Sequence, residues 1–264
     1  MTSAQLISWV VSAITFGTVI MFGCIGETIN QKAGNLNLGV PGIMQLGGIG
    51  ALTGAFIYES STAMPNGVIG MLCALLCAIL ASALGSLIYS FLTVTLKANQ
   101  NVTGLTLTIF GTGIANFFGG SLMKLSGGVG SISVATTANV FKLRLPFISG
   151  KLGLFGSLFL NYGWMAYFCL VLAFVANYFL TKTRTGLNLR AVGENPATAD
   201  AAGINVTKYK YLASIIGGAI CGLGGLFYVM DYIQGTWAND NTIEALGWLA
   251  VALVIFTSWK PKNA

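Results

Sequence analysis

The chain alternates long apolar runs with short polar intervals. A helix needs about 20 apolar residues to cross the hydrocarbon of a bilayer. Runs of that order fall at Leu6–Ile25, Gly42–Tyr58, Val68–Leu96, Leu105–Met123, Tyr162–Thr181, Tyr209–Met230 and Ile243–Trp259. They predict an all-α integral membrane protein: a polytopic helical bundle of about seven or eight spans with broken or re-entrant segments. The whole of 1–264 reads as a single transmembrane domain. Val68–Leu96 is long enough to be strongly tilted. Ala74, Ala78, Ser82, Ser86 and Ser90 recur every fourth residue along it, and Gly111, Ala115 and Gly119 do the same on the next run. Between lipid-exposed helices the hydrophobic effect supplies no attraction, so small faces predict close backbone packing. The segment GGIGALTGAF from Gly47 is echoed by GGAICGLGGLF from Gly217, consistent with repeated halves.

Two polar intervals stand out. Gly26–Gly42 reads GETINQKAGNLNLGVPG and places Glu27, Asn30, Gln31, Lys32, Asn35 and Asn37 between apolar helices. It predicts either non-helical backbone at membrane depth, tolerated where protein buries it or water lines it, or a plain cytoplasmic turn. Lys182–Lys210 reads KTRTGLNLRAVGENPATADAAGINVTKYK. Asn195 is a good N-cap, Pro196 suits the first helical position, and Gly203 suits the left-handed residue after the helix. The interval therefore predicts a solvent-side helix over Pro196–Ala202, about 10 Å long. Ala197 with Ala201, and Ala199 with Ala202, would give it two small faces. Arg190 and Glu194 lie beside it, and Asp200 is solvated. Such a helix is shaped to dock in a groove on a soluble partner.

Composition agrees with the pattern. Hydrophobic residues make up 55% of the chain and charged residues 8%, with a mean hydropathy of +0.79; a soluble domain carries about three times that charge. The net charge of +6 is no nucleic-acid signal, because the basic residues sit in short loops. Lys97, the interval Lys182–Lys210, and Lys260 with Lys262 alternate onto one face, whereas Glu59–Gly67 and Asp231–Thr242 hold no Lys or Arg. The positive-inside pattern puts Lys182–Lys210 in the cytoplasm and the N-terminus outside the cell membrane. The first basic residue is Lys32, so Leu6–Ile25 reads as a span rather than a signal peptide. Lys124–Asn161 is out of step: it should be external, yet it carries Lys124, Lys142, Arg144 and Lys151. It reads as an ordered external loop facing a binding protein, ahead of a re-entrant segment or an interfacial helix.

Candidate chemistry narrows by elimination. There is no histidine, and Cys24, Cys73, Cys77, Cys169 and Cys221 all lie within apolar runs, which predicts neither a metal site nor a disulfide framework. No paired-carboxylate motif or nucleophile elbow marks a membrane enzyme. No GxxxxGK[ST] loop is present, so the chain itself is expected to bind no cofactor, and any ATP is used by separate polypeptides. Glu27, Asp231, Asp240 and Glu244 lie at or near predicted span ends, which argues against the alternative of an ion-coupled secondary transporter of a small polar solute.

The words LRAVGENPATADAAGINV resemble the loop by which permease subunits of ABC importers engage their ATPase, in the branch carrying simple sugars, nucleosides and branched-chain amino acids. GETI and GNLNLGVPG are similar to that family's early segment, with Pro41 standing where the family commonly has Glu. ANQNVTGLTLTIFG, Ala98–Gly111, is a third resemblance, and the three span Gly26 to Met230 in order. The resemblance implies an ATPase-coupling set of Arg190, Glu194, Asn195, Pro196, Ala197, Asp200, Ala201 and Gly203. It also implies a substrate pathway past Asn35, Asn37, Asn99, Gln100, Thr103 and Phe110, whose neutral polar groups suit a nucleoside or sugar. Phe117 and Phe118 follow on the same helix. The implied partners are ABC ATPase subunits, a second permease (a related chain or itself), an extracellular substrate-binding lipoprotein and the bilayer. Members of the family continue by one or two spans beyond TSWKPKNA, so the chain reads as truncated or as a short variant.

Overall fold

The computed structural model describes residues 3–125, 132–142, 161–237 and 241–257. Among the described residues six helices are long and apolar enough to cross a membrane. They are α1 (Ser3–Lys32), α2 (Val40–Ser61), α3 (Gly67–Ser90), α4 (Gln100–Leu125), α6 (Trp164–Lys182) and α9 (Val206–Phe227). Short helices lie between them: α5 (Ala135–Phe141), α7 (Arg184–Glu194) and α8 (Pro196–Ala201). Helix α10 (Thr242–Phe256) follows. α3 and α9 each end in a π-helical turn, Phe91–Thr95 and Tyr228–Tyr232. Among the described residues the only β pairing is a single bridge between Ser133 and Thr236. The predicted all-helical, multi-span architecture holds.

Two predicted boundaries change. The seventh run, expected as a span over Ile243–Trp259, is described as a helix of 15 residues, about 22 Å long and short of a hydrocarbon core of about 30 Å. The break expected over Gly26–Gly42 is much shorter. α1 continues through GETINQK to Lys32, leaving only 33–39 outside a helix. Hydropathy falls at Glu27, but the backbone stays helical because its polar side chains bond one another inside the protein.

Burial sorts the helices into layers. α2 and α9 form the centre, with 78% and 72% of their apolar windows buried, against 22% for the α3 span and 28% for α6. α1 and α3 pack on α9, α3 and α4 pack on α2, α10 lies across α1 and α2, and α6 flanks α1. Glycine makes the centre close. A Cβ at Gly26 would strike the Gly217 carbonyl, and one at Gly47 would strike the backbone of Gly222. Without side chains the backbones approach until van der Waals and Cα–H···O contacts form, which is how helices associate where water gives no drive. The two echoed glycine segments therefore pack against each other. The small stripe of α3 behaves as expected: Ser82 sits against Gly222 and Ser86 against Gly218.

The ends of the bundle are distinct. Lys32, the turn at Lys97 and helices α7 and α8 share one end, since Gly34 touches Gly193 and Gln100 bonds Gly34 and Leu36. At the other end Glu59 Oε1 accepts from Thr137 N at 2.7 Å and Val134 N donates to Gly235 O at 3.0 Å. These bonds order the described part of Lys124–Asn161; its remainder, with Arg144 and Lys151, lies outside the described residues, as does Asp240.

Candidate coupling loop and membrane break

Each turn of the loop between α6 and α9 carries its own cap. Thr183 accepts from Gly186 N at 3.0 Å, Asn195 from Thr198 N at 3.1 Å, and Asn205 from Lys208 N at 2.9 Å. α8 ends with Gly203 at φ +80, Gly203 N on Asp200 O at 2.8 Å and Ile204 N on Ala199 O at 3.0 Å. This is the paired closing bond of a Schellman motif, which needs a left-handed residue at that position. The predicted helix is thus present, one residue shorter than expected. Its faces differ from the expectation: Ala199 is buried against the chain itself, while Pro196, Ala197, Asp200, Ala201 and Ala202 are exposed. The free side is therefore Ala197 with Ala201, and Ala199 is the anchor. Arg190 and Glu194 approach to 3.9 Å at the surface, a contact worth little by itself.

α7 joins this exposed helix to the membrane. Leu189 and Val192 are buried, and Asn188 Nδ2 donates to Tyr209 Oη of α9 at 3.1 Å. Gly193 lies directly on the break, where a Cβ would strike the Lys32 carbonyl, and Gly34 takes φ +79 beside it. Beneath the contact is a cavity of about 360 Å³ lined by Gln31, Lys32, Leu36, Arg190 and Glu194.

The break is largely buried and tied to the helices around it. Glu27, 0% exposed, accepts from Gln31 Nε2 at 2.8 Å, Asn37 N at 3.2 Å and Asn30 Nδ2 at 3.4 Å. Asn35 Nδ2 donates to Ser214 Oγ at 3.1 Å, Gln100 Oε1 accepts from Leu36 N at 2.8 Å, and Tyr89 Oη donates to Leu36 O at 2.7 Å. Asn37 Oδ1 accepts from Gly39 N, and Thr108 Oγ1 donates to Leu38 O at 2.9 Å. Side chains of α1, α3 and α4 thereby satisfy this short stretch of irregular backbone, as lipid requires, and α9 holds the Asn35 side chain.

Of the expected pathway residues, Asn35, Asn37 and Gln100 come together here, and Thr103 is buried on the adjoining turn of α4. Asn99 is exposed and caps α4 through Asn101 N and Val102 N. Phe110 is half exposed on the outer face. Glu27, Tyr89, Thr108 and Ser214 belong to the cluster as well; only Glu27 stood out in the sequence, and there as a span-end residue. Glu27 stays near the end of α1, as expected, though inside the protein; the position of Glu244 beside the middle of α4, described below, is what corrects the expectation that carboxylates keep to span ends. The argument that this made against ion coupling falls with it. Among the described residues no group of three His, Cys, Asp or Glu converges on a metal-sized space.

Comparison with known proteins supplies the wider setting. The family described as branched-chain amino acid transport system / permease component matches residues 9–262. A provisionally named glucose ABC transporter permease of Haloferax volcanii is 34% identical over 96% of this chain and 71% of its own length. The nucleoside ABC transporter permease protein NupC of Lactococcus lactis is 29% identical over 97% and 77%. The guanosine ABC transporter permease protein NupQ of Bacillus subtilis is 29% identical over 100% and 80%. No solved structure matches the chain.

Proposed function

Because the chain belongs to the family of branched-chain amino acid transport system permease components, we propose that it forms half of the membrane pathway of an ATP-driven importer for nucleosides or simple sugars. A second permease, identical or related, completes the pathway. Separate ATPases bind at the basic end, taken as cytoplasmic, and a substrate-binding lipoprotein binds at the other, with the N-terminus outside.

The observation that carries this reading is the rigid line from α8 to the break. α8 stands outside the spans with Ala197 and Ala201 exposed and Ala199 seated on the chain, so it can fill a groove without altering its own fold. A push on α8 passes to α7, and through Gly193 to Gly34, where α1 turns into α2. α2 is the central helix, so a small rotation at its start moves the faces that meet α4 and α10. ATP binding in the partners then opens the pathway to one side at a time. Arg190, Glu194, Asn195, Pro196, Ala197, Asp200, Ala201 and Gly203 form or support the docking surface, and Asn35, Asn37, Gln100 and Thr103 line the moving joint.

The test is Ala201→Arg, which places a long charged side chain on the free face outside the bilayer. Membrane insertion stays normal, ATPase co-purification is lost, and uptake falls to background. Retention of both would reduce α8 to an ordinary connector.

A further inference from the structure

A second polar cluster, at the middle of α4, lies away from the break. Glu244 Oε2 accepts from Thr112 Oγ1 at 3.3 Å, and Thr112 stands midway along α4. The first turn of α10 therefore sits deep in the bundle: Ile243 lies against Gly48 in the middle of α2, and Gly247 against Pro41. α4 and α10 both pack on α2 but scarcely touch each other, leaving a groove with α2 as its floor. On α2, Pro41 and Gly48 face α10, while Gly42 and Ile49 face α4. Gln45 is three or four residues from each of these, so the helical repeat points it between them, into the groove.

Gln45 is 1% exposed, and neither its amide nitrogen nor its oxygen has a hydrogen-bond partner. A buried amide with both groups unused is rare enough to demand a reason. On the described helices that flank it Glu244 faces no countercharge either: α2 and α10 contain no Lys or Arg, and on α4 the only one is Lys124 at the far end. A carboxylate so placed accepts hydroxyl hydrogens without being locked in an ion pair, and it repels anions. Its 3.3 Å bond to Thr112 is long and readily exchanged. Trp248, one turn on from Glu244 and half-buried, adds a flat apolar surface on the same face of α10.

We propose that Gln45, Thr112 and Glu244 form a hydroxyl-binding subsite at mid-membrane, taking the vicinal diol of a ribosyl or pyranosyl ring in transit. The inference rests on the importer reading and adds to it a position and a substrate chemistry. Glu244 accepts from one hydroxyl and the Gln45 oxygen accepts from its neighbour, while the Gln45 amide nitrogen donates to the oxygen of the first. The substrate thereby exchanges its water for protein at the point where bulk water is farthest away.

The complete importer, with its ATPases and binding protein, is reconstituted in proteoliposomes. Uptake of guanosine is compared with 2′,3′-dideoxyguanosine, and of glucose with 2-deoxyglucose. Loss of a hydrogen bond to a charged acceptor predicts a preference of about tenfold for the hydroxylated ring in the unaltered protein, falling toward one in Glu244→Gln and Gln45→Leu. Should Glu244→Gln fail to assemble, Thr112→Val gives the same readout with a smaller loss. A preference unchanged in the variants overturns the subsite and leaves the importer reading standing. Uptake driven by a sodium or proton gradient, and abolished by Glu244→Gln, makes this a cation site and overturns the proposal. Transport of neither ring by the unaltered protein overturns the importer reading, and the subsite with it.

Discussion

Replacing Glu27 separates two roles that its buried position allows. Glu27→Leu removes the acceptor for three donors: Gln31 Nε2, Asn37 N and Asn30 Nδ2. Gln31 is partly exposed and borders the cavity under α7, so water can replace its partner. Asn30 and the Asn37 amide are buried, and each unpaired buried donor costs about 1–3 kcal/mol. Release from keeping a carboxyl group dry offsets part of this, so the net loss is about 2–4 kcal/mol. At about 2–4 °C per kcal/mol for a chain of this size, the midpoint of thermal unfolding falls by about 4–16 °C. Glu27→Gln behaves differently. It keeps one oxygen for Gln31 and Asn37 N, and its new amide meets Asn30, whose Oδ1 has no partner and can turn to accept. Its cost is therefore within about 1 kcal/mol. The assay is thermal unfolding of the detergent-purified chain, followed by size-exclusion fluorescence, with uptake measured in parallel. A Glu27→Leu midpoint within about 1 °C of the parent would refute the tie between Glu27 and the break. Equal damage from Glu27→Gln would show that the negative charge, rather than the acceptor oxygens, is what the site requires.

The remaining expectations concern the loop, the centre and the orientation. Asn195→Ala removes the α8 cap and about 1 kcal/mol of local stability, and Gly203→Val strains the φ +80 position; both lower ATPase co-purification while leaving expression intact, and normal capture by both would contradict the docking role. Gly225→Val puts a side chain into the backbone of Met44 and Gly48, so folded protein in the membrane fraction falls sharply; wild-type yield would mean that α2 and α9 do not meet there. Asn99→Ser keeps the α4 cap and full uptake, while Asn99→Leu loses the cap; loss of uptake in both would restore Asn99 to the substrate pathway. In a cysteine-free background, an impermeant thiol reagent on intact cells labels Ser61→Cys and spares Thr198→Cys, and the reverse labelling would invert the orientation.

The sequence by itself determined the membrane architecture and the short helix α8. Runs of apolar residues near the bilayer thickness mark spans whatever their neighbours, because lipid makes every backbone group find its partner within the helix. Asn195, Pro196 and Gly203 act within one or two turns, so α8 was legible residue by residue. Close packing was also legible from the small stripes, although the mutual contact of the two echoed glycine segments was not. What only the tertiary structure decided is where polar groups end up. Glu27 reads as the end of a span until Asn37 folds back onto it, since the bond joins residues ten apart across a break. Ala199 and Ala201 are alike in composition, yet one is an anchor and the other a free surface, because burial depends on α7 and α9 lying beside them. Glu244 reads as a span-end residue until the start of α10 is seen against the middle of α2 and α4. Gln45 gives no sequence signal at all: one amide in an apolar run acquires meaning only from two helices that pack on either side of it and meet each other chiefly through the Thr112–Glu244 bond.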